Sequence, residues 1–362
     1  MARRMFGKGK PILGSGGPGS TVGLDVETGS IAATEVRGDG SAGVARTAIE
    51  PLPPGVMAEG EVKDPAALSQ ALRSFFSNHK LAKTVRFGVA NQRVVVRTLR
   101  LPLIEDSDEL ETAIRFQAQD NIPMPLDQAV LDHQVVAKET DVEGERQMDV
   151  VAVAARRDMV SSMLAAMRKA GLRPVGIDLS AFGMIRALDG HEPSAGEAVP
   201  TTLYCYLGDI TNLAVARGSV CLFTRLAPFG MDSIAARVAE REGMPLEEAG
   251  DLLLDVGLEE PLEDFSGEGT APEAAREALE EGAKKVVDEL RVSLEFYSAQ
   301  ENAAPIDRVV VCGPGSTIAG FPEQVQVGLG LAIESASPGA LSHLDAEDAA
   351  RLTVSYGLAL ES

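Results

Sequence analysis

The chain has 362 residues, 45% of them hydrophobic and 24% charged, which excludes a disordered or collagen-like chain and at this length favours more than one domain. The net charge is −21, aromatics make up 4% and Trp is absent, a balance that repels phosphate backbones and offers few stacking platforms, so no nucleic-acid partner is expected. Cys205, Cys221 and Cys312 form no C-x-x-C pair and read as reduced, buried thiols of a cytoplasmic protein. The histidines His79, His133, His191 and His343 are scattered and suggest no zinc site. No apolar run is long enough to cross a bilayer, and the N-terminus does not read as a secretory signal.

Residues 1–20 read as a flexible basic tail, with Arg3, Arg4, Lys8 and Lys10 and no acid, leaving a charge of −25 on the rest. Such a tail is either a solvated terminus or a weak attachment to an anionic membrane surface. Val22–Val26 and Ile31–Val36 read as a hairpin around the turn Glu27-Thr28-Gly29-Ser30. Asp64 before Pro65 caps a helix whose stripe is Leu68, Leu72, Phe75 and Phe76, and Val85–Ala90 is the next strand.

Residues 92–175 read as a small α/β insert, in the order strand, helix, strand, strand, helix, strand. Val94–Leu99 opens it, and Ser107 is expected to cap the helix carrying Leu110, Ala113, Ile114 and Ala118. The rigid turn Ile122-Pro123-Met124-Pro125 follows. Val130–Val136 and Met148–Val153 are strands joined through Glu143–Arg146. A helix with Met159, Val160, Met163, Leu164 and Met167 inward stops at Gly171. The linker 190–200 then separates off a second half. This half has strands at Leu203–Leu207, Leu213–Ala216 and Val220–Arg225, helices over 234–254 and 271–301, an acidic loop over 259–269, and the strand Val309–Cys312 running into Gly313-Pro314-Gly315-Ser316.

The hairpins at 24–30 and 205–211 overlay with an offset of 181 residues, which points to a duplicated α/β lobe. Three turns of small residues would then face one cleft: Asp25 to Ser30, Gly208 to Asn212, and 313–316. Backbone N–H groups and hydroxyls in such turns can cradle a nucleotide, and a carboxylate at a strand end can hold Mg²⁺ through water. Taken singly, each turn reads more readily as a plain hairpin, and it is the spacing of all three that points to a shared cleft.

The order of segments resembles the actin-like ATPase superfamily and, within it, the PilM family of type IV pilus assembly proteins, relatives of the cell-division protein FtsA. The resemblance runs from residue 22 and is carried by Pro51-Leu52-Pro53-Pro54-Gly55 with Glu59-Gly60, Arg115–Gln119 leading into Ile122–Pro125, Arg291–Tyr297 and Tyr356–Leu360. It implies an α/β, actin-like fold of two RNase H-like lobes. Residues 21–91 and 176–198 would form the first lobe, 92–175 an insert like the 1C subdomain of FtsA, and 199–362 the second lobe, with a helical subdomain at about 234–305. ATP and Mg²⁺ would be held by Asp25 (also the metal ligand), Thr28, Gly29, Ser30, Gly208, Asp209, Thr211, Asn212, Gly313, Pro314, Gly315 and Ser316. Three departures weaken this: Glu27 stands at a glycine position, Tyr206 at an acidic one, and Leu253 at a lysine position. Weak or absent ATP binding and negligible hydrolysis are expected, and no catalytic residue is assigned.

The function implied is a scaffold of a type IV pilus assembly machine at the inner face of the cytoplasmic membrane. It would bind the N-terminal cytoplasmic peptide of a PilN-like inner-membrane protein through Phe116, Ile122, Pro123, Met124 and Pro125. Phe116 and Ile122 could equally pack the core of the insert. The competing reading is an active Mg-dependent ATPase or small-molecule kinase of the same fold.

Overall fold

A computed structural model describes residues 19–37, 43–140, 146–189, 199–262, 270–300 and 303–360. Most of the basic tail, the tip of the turn at 143–146, most of the linker 190–200 and residues 263–269 of the acidic loop lie outside the described residues.

The first lobe opens with the expected hairpin, β1 (Thr21–Val26) and β2 (Ser30–Val36), followed by β3 (Val44–Pro51), which the sequence reading missed. A short hairpin, β4 (Met57–Ala58) and β5 (Glu61–Val62), leads to α1 (Pro65–Asn78). Asp64 caps α1 as expected: its carboxylate accepts from the Ala66 and Ala67 amides. Next come β6 (Thr84–Val89), then β7 (Val95–Pro102), α2 (Ser107–Asn121), β8 (Ala129–Thr140), β9 (Arg146–Arg156), α3 (Arg157–Lys169), β10 (Arg173–Leu179) and α4 (Ser180–Leu188). The cap of α2 is Asp106, one residue before the expected Ser107, because its carboxylate reaches the Asp108 and Glu109 amides.

The second lobe contains β11 (Thr201–Leu207), β12 (Thr211–Arg217) and β13 (Val220–Ala227), then α5 (Met231–Glu242), α6 (Leu246–Val256), α7 (Ala271–Ser298), β14 (Arg308–Cys312), α8 (Phe321–Leu329), β15 (Ile333–Ser335), α9 (Ala346–Arg351) and α10 (Thr353–Ala359). The helical stretch expected over 234–254 is divided between two helices. Gly243 takes φ 70°, a left-handed stop, and Pro245 follows it.

Both large sheets have the same plan. One runs β3-β2-β1-β6-β10 and the other β13-β12-β11-β14-β15, with the first three strands antiparallel and the last two joined in parallel. Val22 and Leu203, 181 residues apart, occupy matching places: each lies on the central strand of its sheet and pairs in parallel, with Val85 and Val309 respectively. α4 and α10 each follow the last strand of their half and pack on each other. α10 also lies on β1, where a Cβ on Gly23 would sit 1.9 Å from the Ser355 carbonyl oxygen. One core therefore joins Val22, Leu24, Met184, Ile185, Val354 and Leu358 to Tyr204, Tyr206 and Cys312 of the second sheet. The opposite face of the second sheet packs on α5, α6 and α7. All three cysteines are buried and free.

β7, β9 and β8 form their own antiparallel sheet, covered on one face by Leu110 and Ile114 of α2. Its other face, with Val151, Val153 and Ala155, joins the first-lobe core. α3, which the sequence reading groups with the insert, packs its methionine face against α1, and β10 pairs with β6 in the first sheet.

Candidate functional site

The turns at the ends of β1 and β11 face each other across the gap between the lobes. The Gly29 amide donates to Asp209 Oδ2 at 2.7 Å, a direct bond from one lobe to the other. A Cβ on Gly29 would stand in ordinary contact with the Asp209 and Asp232 carboxylates, 3.4 and 3.7 Å away, so the two turns meet without crowding. The third turn, a single 3-10 turn over Pro314–Thr317, closes the same region: a Cβ on Gly315 would meet Leu207 and the Met231 sulfur at 2.8 Å. The structure thus brings the three predicted turns together.

Several of their polar groups are already engaged. Asp25, buried at the end of β1, accepts from the Ser180 hydroxyl at 3.1 Å. The Thr211 hydroxyl donates to the Phe229 carbonyl at 2.7 Å, and the Ser316 hydroxyl to the Gly313 carbonyl at 2.7 Å. Asn212 is buried, and Thr28 and Ser30 are half-buried.

Glycines beside a ligand leave room where a Cβ would stand. Here that room is taken by the chain itself. Beside Gly208, a Cβ would lie 2.3 Å from the Tyr206 ring and 2.6 Å from Glu27 Oε1; beside Gly313, it would lie 3.0 Å from the same ring. The space left between Asp25, Glu27, Thr28, Ser180 and Tyr206 is about 20 Å³, on the scale of one water.

The charge is equally unusual. Asp25, Glu27, Asp209 and Asp232 converge, and Arg351 at the end of α9 is the cation set against Glu27, Asp209 and Asp232. Burial, aided by the Asp209 charge, pushes Asp25 up to about 6 and Asp232 up to about 7. Glu27 is driven well above the usual carboxylate range, first by burial and then by Asp209, Asp25 and Asp232. Asp209 and Asp232 are neighbours across this turn and perturb each other's acidity. Among the described residues, no three His, Cys, Asp or Glu side chains are grouped to hold a metal ion.

Asp232, Arg351 and its partner Glu347, 2.9 Å away, were missed from sequence. Asp232 follows Gly230, whose missing Cβ lets α5 start against the Gly208 carbonyl, so the Gly-Met-Asp triplet was a usable signal. Arg351 gave none, since it arrives from the far end of the chain.

The expected partner-binding residues do not share one surface. Ile122 is buried, in a small core with Ala118, Ala129 and Ala154. Met124 is half-buried against that core. Phe116 is 66% exposed, in an open groove with Leu101, Pro102 and Ile104, and Pro125 is exposed. Pro123 lines a different cleft of about 410 Å³ where the insert meets both lobes. Val94–Arg97 of the insert strand form one wall of that cleft, and Phe223–Leu226 of β13, with Phe296, form the other.

The sequence model of the family "Type IV pilus assembly protein PilM" matches residues 23–362. A chain of the solved "PilM-PilN type IV pilus biogenesis complex" is 26% identical, with a TM-score of 0.75, covering 94% of this chain and 97% of that one. Ethanolamine utilization protein EutJ from Carboxydothermus hydrogenoformans is 15% identical, with a TM-score of 0.55 over 97% of this chain and 93% of its own. MreB5 of Spiroplasma citri bound to ADP is 14% identical, with a TM-score of 0.56 over 93% and 94%. The last two show the fold alone, and it is the two-lobed actin-like one.

Proposed function

Because the chain belongs to the PilM family of type IV pilus assembly proteins, we propose that it is a scaffold of a pilus assembly machine that holds the N-terminal cytoplasmic peptide of a PilN-like inner-membrane protein in the cleft beside the insert. The observation that carries this is a cleft flanked by two sheet edges. β7 ends the insert sheet and β13 ends the second-lobe sheet; the two strands approach each other, and both line the 410 Å³ cleft. An extended peptide satisfies such edges with its backbone and places alternate side chains in pockets. Val89, Leu226, Pro228 and the 56% exposed Phe296 supply apolar walls, while Asn91, Arg97 and Arg225 supply polar ones. Among the described residues no helix is long and apolar enough to cross a membrane, so placement at the inner face of the membrane would come through the partner.

The gap between the lobes is read as a degenerate nucleotide site. A Mg-triphosphate does not fit it as it stands: the Tyr206 ring and the Glu27 carboxylate occupy the space beside Gly208 and Gly313, and four carboxylates face it against Arg351. No ATPase or kinase step is assigned.

Fluorescence anisotropy with the partner's N-terminal peptide tests the scaffold reading. Phe296→Asp should weaken binding about tenfold or more, as loss of an aromatic anchor does, and Phe116→Asp should leave it unchanged. The reverse pattern would move the site to the α2 groove. Failure of the unmodified chain to bind would end the proposal.

A further inference from the structure

We infer that the edge of the first lobe where β1, β6 and β10 begin is a basic face that docks on an anionic lipid bilayer. This contact is separate from the partner peptide and does not rest on reading the cleft as its site.

Charge is unevenly distributed along the chain. It has 54 acids, yet none falls in residues 1–20, 65–90 or 159–177. The fold brings these stretches to one edge. β1, β6 and β10 are parallel; Val22 lies level with Val85, and Thr84 with Arg173. The three strands therefore start side by side, with the N-terminal segment leading into β1, α1 into β6 and α3 into β10. Direct contacts tie the two helical approaches together. The Arg173 amide donates to the Lys83 carbonyl at 2.7 Å, and the Arg73 guanidinium donates to the Lys169 carbonyl at 2.6 Å.

Arg73, Lys80, Lys83, Arg168, Lys169 and Arg173 thus share this edge. All six are exposed, and none forms an ion pair with another described residue. The acids on the neighbouring strands are already engaged. Glu35 is buried, accepts from the Ala82 amide and pairs with Arg46, and Glu50 is bonded to the His79 ring at 2.8 Å.

Part of this pattern serves the helices themselves. Arg168 and Lys169 lie in the last turn of α3, where cations suit the carbonyl end of the helix dipole. That does not account for Lys80, Lys83 and Arg173, which follow the helices. α1 and α3 end in the same kind of turn, closed by bonds from the Leu81 amide to the Phe76 carbonyl and from the Leu172 amide to the Met167 carbonyl. After α3 the left-handed position is Gly171, at φ 84°; after α1 it is Lys80, at φ 53°, where a glycine would sit with less strain. A lysine there adds a cation to the edge at a cost in backbone strain.

The chemistry suits a lipid surface. The six charges ride on exposed, unpaired side chains, and anionic lipids diffuse in the plane of a bilayer to meet such a spread of charge. Nucleic acid is disfavoured. A polyanion reaching beyond the patch meets a chain whose net charge is −21, and Phe75 and Phe76, the aromatic residues of α1, are buried and cannot stack on bases. The N-terminal segment adds Arg3, Arg4, Lys8 and Lys10 beside Met5-Phe6 and Ile12-Leu13, a mixture of basic and apolar residues that partitions into a headgroup region.

The test is flotation of the full chain with vesicles of phosphatidylcholine containing about 30% phosphatidylglycerol, at about 0.1 M salt. The chain should float with these vesicles, stay behind with pure phosphatidylcholine, and be released at about 0.5 M salt. Lys83→Gln, Lys169→Gln and Arg173→Gln together should weaken partitioning about a hundredfold, at about fivefold per cation. Lys138→Gln, Lys284→Gln and Lys285→Gln remove the same charge from exposed positions elsewhere and should change it less than about threefold. Deleting residues 1–18 should weaken partitioning while leaving the effect of the Lys83, Lys169 and Arg173 changes in place. Equal flotation with neutral vesicles, retention at high salt, or full affinity in the variant of Lys83, Lys169 and Arg173 would each overturn the assignment. So would complete loss on deleting residues 1–18, which would place the contact in that segment alone. Inorganic phosphate at about 10 mM should compete no better than chloride of equal ionic strength. Specific competition would make the edge a discrete phosphate site, and tighter binding to a short DNA duplex than to vesicles would make it a nucleic-acid face; either result removes the lipid reading. The neutral-vesicle and salt arms use the unmodified chain, so they decide the matter even if a variant does not fold. Peptide anisotropy on the variant of Lys83, Lys169 and Arg173 should match the parent's, so this proposal and the scaffold reading fail separately.

Discussion

The contact between α4 and α10 makes Gly357→Ala a severe change for one added methyl group. A Cβ on Gly357 would lie 1.8 Å from the Gly183 carbonyl oxygen and 2.6 Å from its carbon. Both are backbone atoms, so no rotamer can relieve the overlap, and the helices must part by about 1.5 Å to restore ordinary contact. α10 cannot retreat the other way, because Gly23 of β1 already holds it at the closest approach a strand allows. A gap of even about 0.5–1 Å forfeits a quarter to a half of the contact energy of the side chains lining it. Val354, Leu358, Met184 and Ile185 are all buried at this seam, and each contributes about 2 kcal/mol when buried. Losing about two-fifths of that sum gives a destabilisation of about 3 kcal/mol. Urea unfolding followed by circular dichroism reads this directly. Gly250→Ala is the matched control: it lies within α6, and an added methyl there would meet nothing within 4 Å, so it should stabilise by about 0.5–1 kcal/mol. Equal midpoints for the two variants, or a loss under about 1 kcal/mol at Gly357, would refute the close-packed seam.

The acid cluster should make stability fall as pH rises. Asp232 goes from 3.8 in the ordinary state to about 7 in the fold, so between these values the folded chain binds more protons than the unfolded one; at about 1.4 kcal/mol per pH unit, and halved because Asp232 is only half-buried, this is about 2 kcal/mol. Thermal melts from about pH 5 to about pH 8 should show the decline, with Asp232→Asn flattening it; a rise in Tm over that span would contradict the sign. Arg186→Ala should cost about 3–5 kcal/mol, because it leaves Asp178, its buried partner at the end of β10, without a cation; a urea midpoint close to the parent's would show the pair to be dispensable. Tyr297→Phe removes the hydroxyl that accepts the Ala304 amide at 3.0 Å, and should cost about 1 kcal/mol in the same assay.

The plan of strands was legible because each hairpin is a local event, an apolar run entering and leaving a turn of small residues. The duplication was legible for the same reason, and the shared strand order of the two sheets gives it a structural meaning. β3 escaped notice because Val44–Pro51 sets its apolar and polar residues in pairs (Val-Ala, Arg-Thr, Ala-Ile) rather than alternating them, and is only partly buried. The three turns were found, but their contents were not. Reading Glu27 and Tyr206 only as departures from a motif missed that the two side chains fill the gap themselves. Arg351 lies more than 300 residues from Glu27, and no local pattern encodes its arrival beside the same turn. Phe116 and Ile122 fall close together on one helix and its exit, yet the turn at Ile122 points inward while Phe116 faces out; helical phase after a proline-rich exit is set by packing.

Placing α10 on β1 also fixes the order in which the chain can be finished as it is made. The hairpin of the first lobe is synthesised within the opening 36 residues, but the helix that covers its face ends at residue 359. Until then Gly23 and its neighbours have no cover on that side, and nearly the whole chain must leave the ribosome before the first sheet is sealed. A truncation of the last ten residues, or a fusion that strains Thr353–Ala359, should therefore be felt in the strand made first.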